Sequence, residues 1–335
     1  MLNPAVLAID CEAEIARIAA FFVHTLRGFN KRGVVLGLSG GVDSSVCAAL
    51  AVRALGPQRV FGLLMPERDS SGDSASLGAE VAQQLGIAHA VENIAPALEA
   101  IGCYRWRDDA VRAVLPGYTP EWKIKLAISG GLAGGINHFR LIARAPDGQM
   151  SDTRLPLREY LQIVAATNHK QRLRKTLEYF HADRLNYAVI GTPNRLEYDQ
   201  GFFVKNGDGS ADLKPIAHLY KTQVYALARH LGLPDAVRNA APTTDTYSLP
   251  QGQDEFYFAL PWAQMDLALW ARNHSYSADE LAAALGCTPE QATAVLTDID
   301  AKRRTTRYLH ARPALVEAVF NPSPEHAACA VPNPL

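Results

Sequence analysis

The sequence predicts an α/β chain built on a doubly wound parallel sheet flanked by helices, with a helical C-terminal part. Three observations predict it. From Gly33 to Val91, short apolar runs alternate with helical periodicity across short links, as buried parallel strands joined by helices do. One apolar run, Gly33–Leu38, breaks into Ser39-Gly40-Gly41-Val42-Asp43-Ser44-Ser45, a tight turn that opens a helix. After Pro215 the strand-like runs cease and three/four spacing dominates.

Element by element, Asp10 is placed to cap a helix carrying Ile15, Ile18, Ala19, Phe22 and Leu26. The strand Val34–Leu38 follows, then a helix over Asp43–Leu55, a strand over Arg59–Leu64, a helix over Asp73–Leu85 and a strand over Ile87–Val91. Met65–Ser71 leaves the second strand at its carboxyl end, where it edges a nucleotide pocket in such sheets. From Cys103 to about Pro156 the pattern breaks down, with Trp106, Trp122, the pairs Gly130/Gly131 and Gly134/Gly135 and several prolines. That length without periodicity reads as an insertion or long loop: a lid, a partner contact or a mobile segment. A helix resumes near Leu157 and runs with interruptions to Phe180, and Asn186–Ile190 forms a fourth strand ending at Gly191-Thr192. Helices are expected at Leu219–Leu231, Asp254–Asn273, Ser277–Leu285 and Pro289–Arg303. The domain reading is one unit over 1–320 with the insertion at about 103–156, and a tail at 321–335.

Composition narrows the function classes. With 335 residues, 48% apolar and 20% charged, the chain buries a sizeable core. A net charge of −1 gives no reason to expect nucleic acid as a partner. Cys11, Cys47, Cys103, Cys287 and Cys329 are scattered and form no CxxC pair, against a structural zinc or a secreted disulfide framework. No basic segment leads into a long apolar run, and no stretch approaches the roughly 20 apolar residues that span a bilayer. The expectation is a cytoplasmic protein with no membrane partner.

Chemistry concentrates in two segments. In the first, Gly40 and Gly41 permit close backbone approach, and the helix that follows offers unpaired N–H groups and the positive end of its dipole. A Gly/Ser turn there is a pyrophosphate cradle, and Gly37, Leu38, Ser39, Gly40, Gly41, Val42, Asp43, Ser44 and Ser45 are its residues. It lacks the Lys of the Walker loop and the spaced glycines of the dinucleotide fingerprint. The second segment is Gly191-Thr192-Pro193-Asn194-Arg195-Leu196-Glu197, followed by Gly201-Phe202-Phe203-Val204-Lys205-Asn206-Gly207-Asp208-Gly209-Ser210-Ala211-Asp212-Leu213-Lys214-Pro215. Gly-Asp-Gly alone is a common turn. Beside a phosphate cradle in a parallel sheet, a second strand-end cluster is the other half of one site.

Ser-Gly-Gly-Val-Asp-Ser-Ser resembles the SGGxDS loop of the ATP pyrophosphatase superfamily, which cleaves ATP between its α- and β-phosphates. GTxNxxE followed by GFFxKxGDGxxDLxP is similar to the ammonia-dependent NAD synthetases. The likeness covers roughly Gly33–Val91 and Asn168–Pro250 and runs through Leu219-Tyr220-Lys221-Thr222-Gln223-Val224 and Pro242-Thr243-Thr244. It implies that the chain joins deamido-NAD to ammonia through a carboxyl-adenylate, releasing NAD, AMP and pyrophosphate. Residue by residue, it implies that Ser39, Gly40, Gly41, Ser44 and Ser45 hold pyrophosphate and that Asp43 and Glu197 ligate Mg²⁺. Thr192, Lys221 and Thr243 match ATP-contacting positions. Arg172, Lys205, Asp208 and Asp212 match the segments that hold the dinucleotide. Asp43 and Lys221 are the expected catalytic pair. Taken singly, Lys221 and Arg172 lie in helical patterns where a cation is ordinarily solvated; only the joint spacing sets them apart.

Two departures stand out. The family's C-terminal His-Lys pair, which closes over the substrate, falls at Ala301-Lys302; the resemblance implies that Lys302 binds deamido-NAD, while the histidine is absent. The segment from Pro242 to Gln251 and the 103–156 insertion mark a longer subgroup. About 32 residues precede the loop strand, too few for a glutaminase domain, so free ammonia is the expected nitrogen donor, with a separate glutaminase subunit the alternative. The resemblance also implies a homodimer. The rival readings are an amidoligase or tRNA-modifying enzyme of the same superfamily, and an ATP-binding module without turnover.

Overall fold

In the computed structural model, Asp10 caps α1 (Cys11–Gly28) by accepting a hydrogen bond from the Ala13 amide at 3.1 Å. Ile15, Ile18, Phe22 and Leu26 make its buried stripe, as their spacing predicts. The structure describes residues 2–70, 72–129, 138–242, 247–252, 257–258 and 260–317, with the backbone alone at 72–74 and 128–129. Thr243, the two glycine pairs, Asp254 and the tail 321–335 lie outside the described residues.

The chain continues through β1 (Val34–Gly37), α2 (Val42–Leu55), β2 (Val60–Leu64), α3 (Gly72–Leu85), β3 (Ala88–Val91) and α4 (Ala95–Ile101). Next come α5 (Cys103–Val114), β4 (Lys123–Ser129), β5 (His138–Arg144), β6 (Met150–Arg154), α6 (Leu157–Leu185) and β7 (Ala188–Val189). The helices α7 (Arg195–Gln200), α8 (Lys221–His230), α9 (Asp235–Arg238), α10 (Trp262–Asn273), α11 (Ala278–Leu285) and α12 (Pro289–Thr306) follow.

The main sheet is parallel, in the order β3-β2-β1-β7. From β1 the chain winds first toward β2 and β3, then crosses to β7 on the other side. The strand order therefore reverses between the carboxyl ends of β1 and β7, where open α/β sheets bind ligands. β1 is buried on both faces. Val34 and Leu36 pack with Phe22, Val46, Leu50 and Val224, whereas Val35 points the other way to Leu98, Ala166 and Ala182, the period-2 alternation of a strand between two helical layers. A separate cluster of Met265, Leu269, Leu281, Val295 and Ile299 closes on Leu196 and Tyr220, which fixes the helical C-terminal part against the second half of the site.

Several expectations need correction. Far from lacking periodicity, the Cys103–Pro156 stretch holds α5 and an antiparallel sheet, β4-β5-β6. Ile124 and Leu126 are buried between exposed or half-buried lysines, a period-2 signal that the glycine-rich link obscured. α6 runs unbroken for 29 residues. It reads as interrupted because Thr167, Lys170, Lys175, Glu178 and His181 are buried along it, so no clean apolar stripe marks it. The single helix expected over Asp254–Asn273 is interrupted, since Tyr257, Phe258, Leu260 and Pro261 are not helical and the described helix begins at Trp262, behind Pro261 at its N-cap. The fourth strand shrinks to two residues, extended by a parallel bridge between Ile190 and Leu213.

Candidate active site

A cavity of about 920 Å³ opens at the reversal point, lined by residues 37–44, Thr192, Glu197, Asp208 and Lys221 among others. The Ser-Gly-Gly turn is held by its own hydroxyls. Ser39 Oγ lies 3.1 Å from Ser44 Oγ and accepts from the Gly41 amide at 3.3 Å, while Ser44 and Ser45 donate to the Gly41 carbonyl at 3.1 and 2.8 Å. Gly40 takes φ 76°, a left-handed conformation that side chains disfavour. Gly41 is the N-cap of α2 and no side chain caps that end. The first-turn N–H groups and the helix dipole are therefore turned toward the cavity, which suits an anion.

The two carboxylates from distant segments meet at one asparagine. Asn194, fully buried, donates from Nδ2 to Asp43 Oδ1 at 3.1 Å. Its backbone N–H donates to Glu197 Oε2 at 3.1 Å, and its Oδ1 accepts from the Glu197 amide at 3.3 Å. This is the capping box of α7. Local helix chemistry thereby sets the spacing between the acids. Lys221, also buried, donates to Asp43 Oδ2. Burial alone would lower its pKa, but Asp43 and then Glu197 outweigh it and hold the ammonium at about 12. The backbone of Lys221 is anchored from α10: Asp266 accepts from the Lys221 and Thr222 amides at 3.1 and 2.6 Å and from the Thr222 hydroxyl at 2.6 Å. Burial raises the Asp266 carboxyl to about 6 against those hydrogen bonds.

The facing wall is α6. Lys175 donates to Glu178 at 2.6 Å, both buried. Glu178 Oε1 lies so close to Gly37 that a Cβ there would sit 3.2 Å from it. Burial raises both Glu178 and Asp208, with Lys175 pulling each back. Lys214 is pushed down to about 8 by burial and by Lys175. Behind this wall, Lys170 reaches Glu67 and Asp69 at 2.9 and 2.6 Å, and Arg107 of α5 pairs with Asp69 and Asp108. Burial would raise Asp69, but Lys170 and Arg107 outweigh it and hold its carboxyl below the usual range. This network pins the loop after β2, whose Met65, Pro66 and Ser70 edge the cavity as expected.

The structure thus gathers Gly37–Ser44, Thr192, Glu197, Asp208 and Lys221 around one space. Ser45 turns into α2. Arg172, Lys205, Asp212 and Lys302 are not among the lining residues and hold protein partners. Arg172 Nε donates to the Lys205 carbonyl at 3.2 Å, and Lys205 Nζ to the carbonyls of Tyr308 and Ala311 at 2.7 and 3.2 Å. Asp212 accepts from the Val189 amide at 2.7 Å, and Lys302 donates to the Tyr257 carbonyl at 2.6 Å and Asp298 at 2.5 Å. Asn194 and Asp266 were given no role by sequence reasoning. Asn194 stood inside the second motif, three residues before Glu197, where a capping box was readable; nothing local pointed to Asp266.

A parallel sheet with a Ser-Gly-Gly cradle at its reversal point, facing a lysine and two acids, defines an ATP pyrophosphatase-type α/β protein. Comparison with known proteins is specific. A family model described as NAD synthase matches residues 14–112 and 141–308. An NH(3)-dependent NAD(+) synthetase of Mesorhizobium japonicum is 57% identical over 311 residues, covering 92% of this chain and 98% of that protein. One of Rhizobium meliloti is 56% identical over 314 residues, covering 93% and 94%. In fold, the chain resembles the structure of NMN synthetase from Francisella tularensis, with a TM-score of 0.64 at 21% identity, covering 93% of this chain and all of that one. The chain belongs to the NAD synthase family.

Proposed function

We infer that this chain is a ligase that forms NAD from deamido-NAD and ammonia at the cost of ATP. The observation that carries the reading is the meeting of Asp43 and Glu197 on Asn194, beside Lys221 and an uncapped helix start. A carboxylate is a poor acceptor for ammonia, and adenylation gives it a leaving group. The carboxylate attacks the α-phosphorus, pyrophosphate leaves, ammonia adds to the mixed anhydride, and AMP departs. The protein's contribution is alignment and charge neutralisation. In this reading Gly37–Ser44 hold the departing pyrophosphate through N–H and hydroxyl groups, Thr192 and Thr243 contact ATP, and Lys221 neutralises charge on the phosphates.

Mg²⁺ belongs to the proposal. Among the described residues no group of three or more His, Cys, Asp or Glu forms a cage. Two acids beside a phosphate cradle still suit this ion, which keeps its waters and takes one or two carboxylates plus phosphate oxygens. Asp43 and Glu197 would hold it, and it would supply charge neutralisation on the phosphates.

Arg172, Lys205, Asp208 and Asp212 serve the dinucleotide in this proposal. Lys205 and Lys302 reach substrate only by giving up the carbonyls they now hold. A homodimer and a cytoplasmic location complete the reading. Among the described residues, no helix is long and apolar enough to cross a membrane.

The deciding experiment is an assay of AMP and pyrophosphate with deamido-NAD, ammonium, or both. Release only with both supports the ligase. Release without deamido-NAD, or with glutamine as the better donor, contradicts it. Sedimentation of the purified chain tests the dimer.

A further inference from the structure

The inference rests on the reading above that the chain adenylates a carboxylate with ATP. Residues 113–140, which the family model does not match, supply β4 and the first residues of β5. In the order β4-β5-β6, β4 is an edge strand, and the outward backbone groups of such a strand need cover or water. A segment from far along the chain covers them. The Ile124 amide donates to Ser248 Oγ at 2.9 Å, and the Leu249 amide donates to the Ile124 carbonyl at 3.1 Å. Gln251, buried, donates from Nε2 to the Leu126 carbonyl, and Lys125 Nζ donates to the Pro250 carbonyl at 3.4 Å. Tyr247 seals the seam by joining Ile124, Leu126, Leu141 and Ile163 in one apolar cluster.

The covered edge leads straight to the cavity. Tyr247 lines it, as do Tyr160 and Thr167 of α6, and the Tyr247 hydroxyl is hydrogen-bonded to Thr167. Ala240, Ala241 and Pro242 line it as well, and their anchor is α8: the Tyr225 hydroxyl donates to the Ala240 carbonyl at 2.6 Å. Tyr225 lies one helical turn beyond Lys221, the lysine that meets Asp43. One anchor thus stands on the cradle side and the other on the insertion. Only four residues of chain separate Pro242 from Tyr247, so fixing one limits where the other can stand. A wall fixed in advance spares a ligand the cost of ordering it. We propose that β4 braces the cavity wall on the ATP side, with Ser248 and Gln251 as positioning residues. Neither lines the cavity; both act through Tyr247 and Pro242. The nucleotide affected is the one whose phosphates rest on the cradle, and the insertion thereby sets how tightly this chain holds ATP.

The test is steady-state kinetics of the full chain, with ATP, deamido-NAD and ammonium varied in turn. The double variant Ser248→Ala with Gln251→Ala removes two hydrogen bonds from the β4 edge. It is expected to raise the KM for ATP roughly tenfold and to leave the KM values for deamido-NAD and ammonium in place. Ser248→Thr keeps the hydroxyl and should keep the parent KM for ATP. If the double variant fails to fold, Gln251→Met, which retains a long side chain and lacks the donor, carries the same comparison. Equal rises for ATP and deamido-NAD, or a lowered melting temperature with an unshifted KM for ATP, overturn the brace and reduce the contact to cover for a strand edge. A wild-type chain that forms no NAD from deamido-NAD, ammonium and ATP overturns the ligase reading itself; one that does, with unshifted variants, overturns the brace alone.

Discussion

The cavity has two walls of opposite construction. The sheet-edge wall is made of backbone N–H groups, hydroxyls and the Asp43–Asn194–Glu197–Lys221 cluster, and each part is set by its own strand end or helix cap. The α6 wall is made of long charged side chains buried together, Lys175 with Glu178 and, behind them, Lys170 with Glu67 and Asp69. On the first wall, polar groups face where phosphates would lie. On the second they mostly neutralise one another. The difference separates reaction from architecture: changes to the first wall should cost rate, changes to the second should cost stability.

Four single substitutions and one double variant sharpen or break that division. Asp43→Asn should show the largest effect, lowering pyrophosphate release at least about 10³-fold while circular dichroism still reports a folded chain; undiminished release removes Asp43 from the mechanism. Lys175→Met leaves Glu178 buried without its cation and should destabilise the chain by about 3–5 kcal/mol in urea unfolding. The double variant with Glu178→Leu should regain most of that, and failure to recover would mean the α6 wall does more than neutralise itself. Asn194→Ala belongs to both categories, since the side-chain amide holds the Asp43 carboxylate and caps the helix that carries Glu197. It should lower kcat about 10²-fold through misplacement and cost about 1–3 kcal/mol of stability.

Lys214→Met is the smallest and reads out in pH. The folded-state pKa of Lys214, about 8, lies below its ordinary value of 10.5. The stability this group contributes is therefore present above pH 10.5 and lost as pH falls through 8, where a half-buried amine must take up a proton. At pH 7 the variant should be more stable than the parent by about 1 kcal/mol, after discounting for partial exposure. The difference should vanish near pH 10.5; a pH-independent difference would contradict burial as the cause.

The sequence was most legible where structure is local. Strand, turn and helix over Gly33–Leu55 follow from an apolar run, two glycines and a three/four pattern, and the cradle follows from them. Asp10, Ser277 and the C-terminal helices were readable for the same reason. Legibility failed where burial is not apolar. α6 buries lysine, glutamate and histidine, so periodicity of hydrophobic residues could not trace it. Nor could local pattern show that Asp266 would reach the start of α8, 44 residues away, because that contact exists only once α10 has packed.

An unbroken α6 from Tyr160 to Glu178 also works as a ruler. Each residue turns the helix by about 100°. Deleting one residue between those two would shorten the span only slightly, yet swing every side chain beyond the cut off the cavity face. Spacing along this helix should therefore tolerate substitution far better than any change of length.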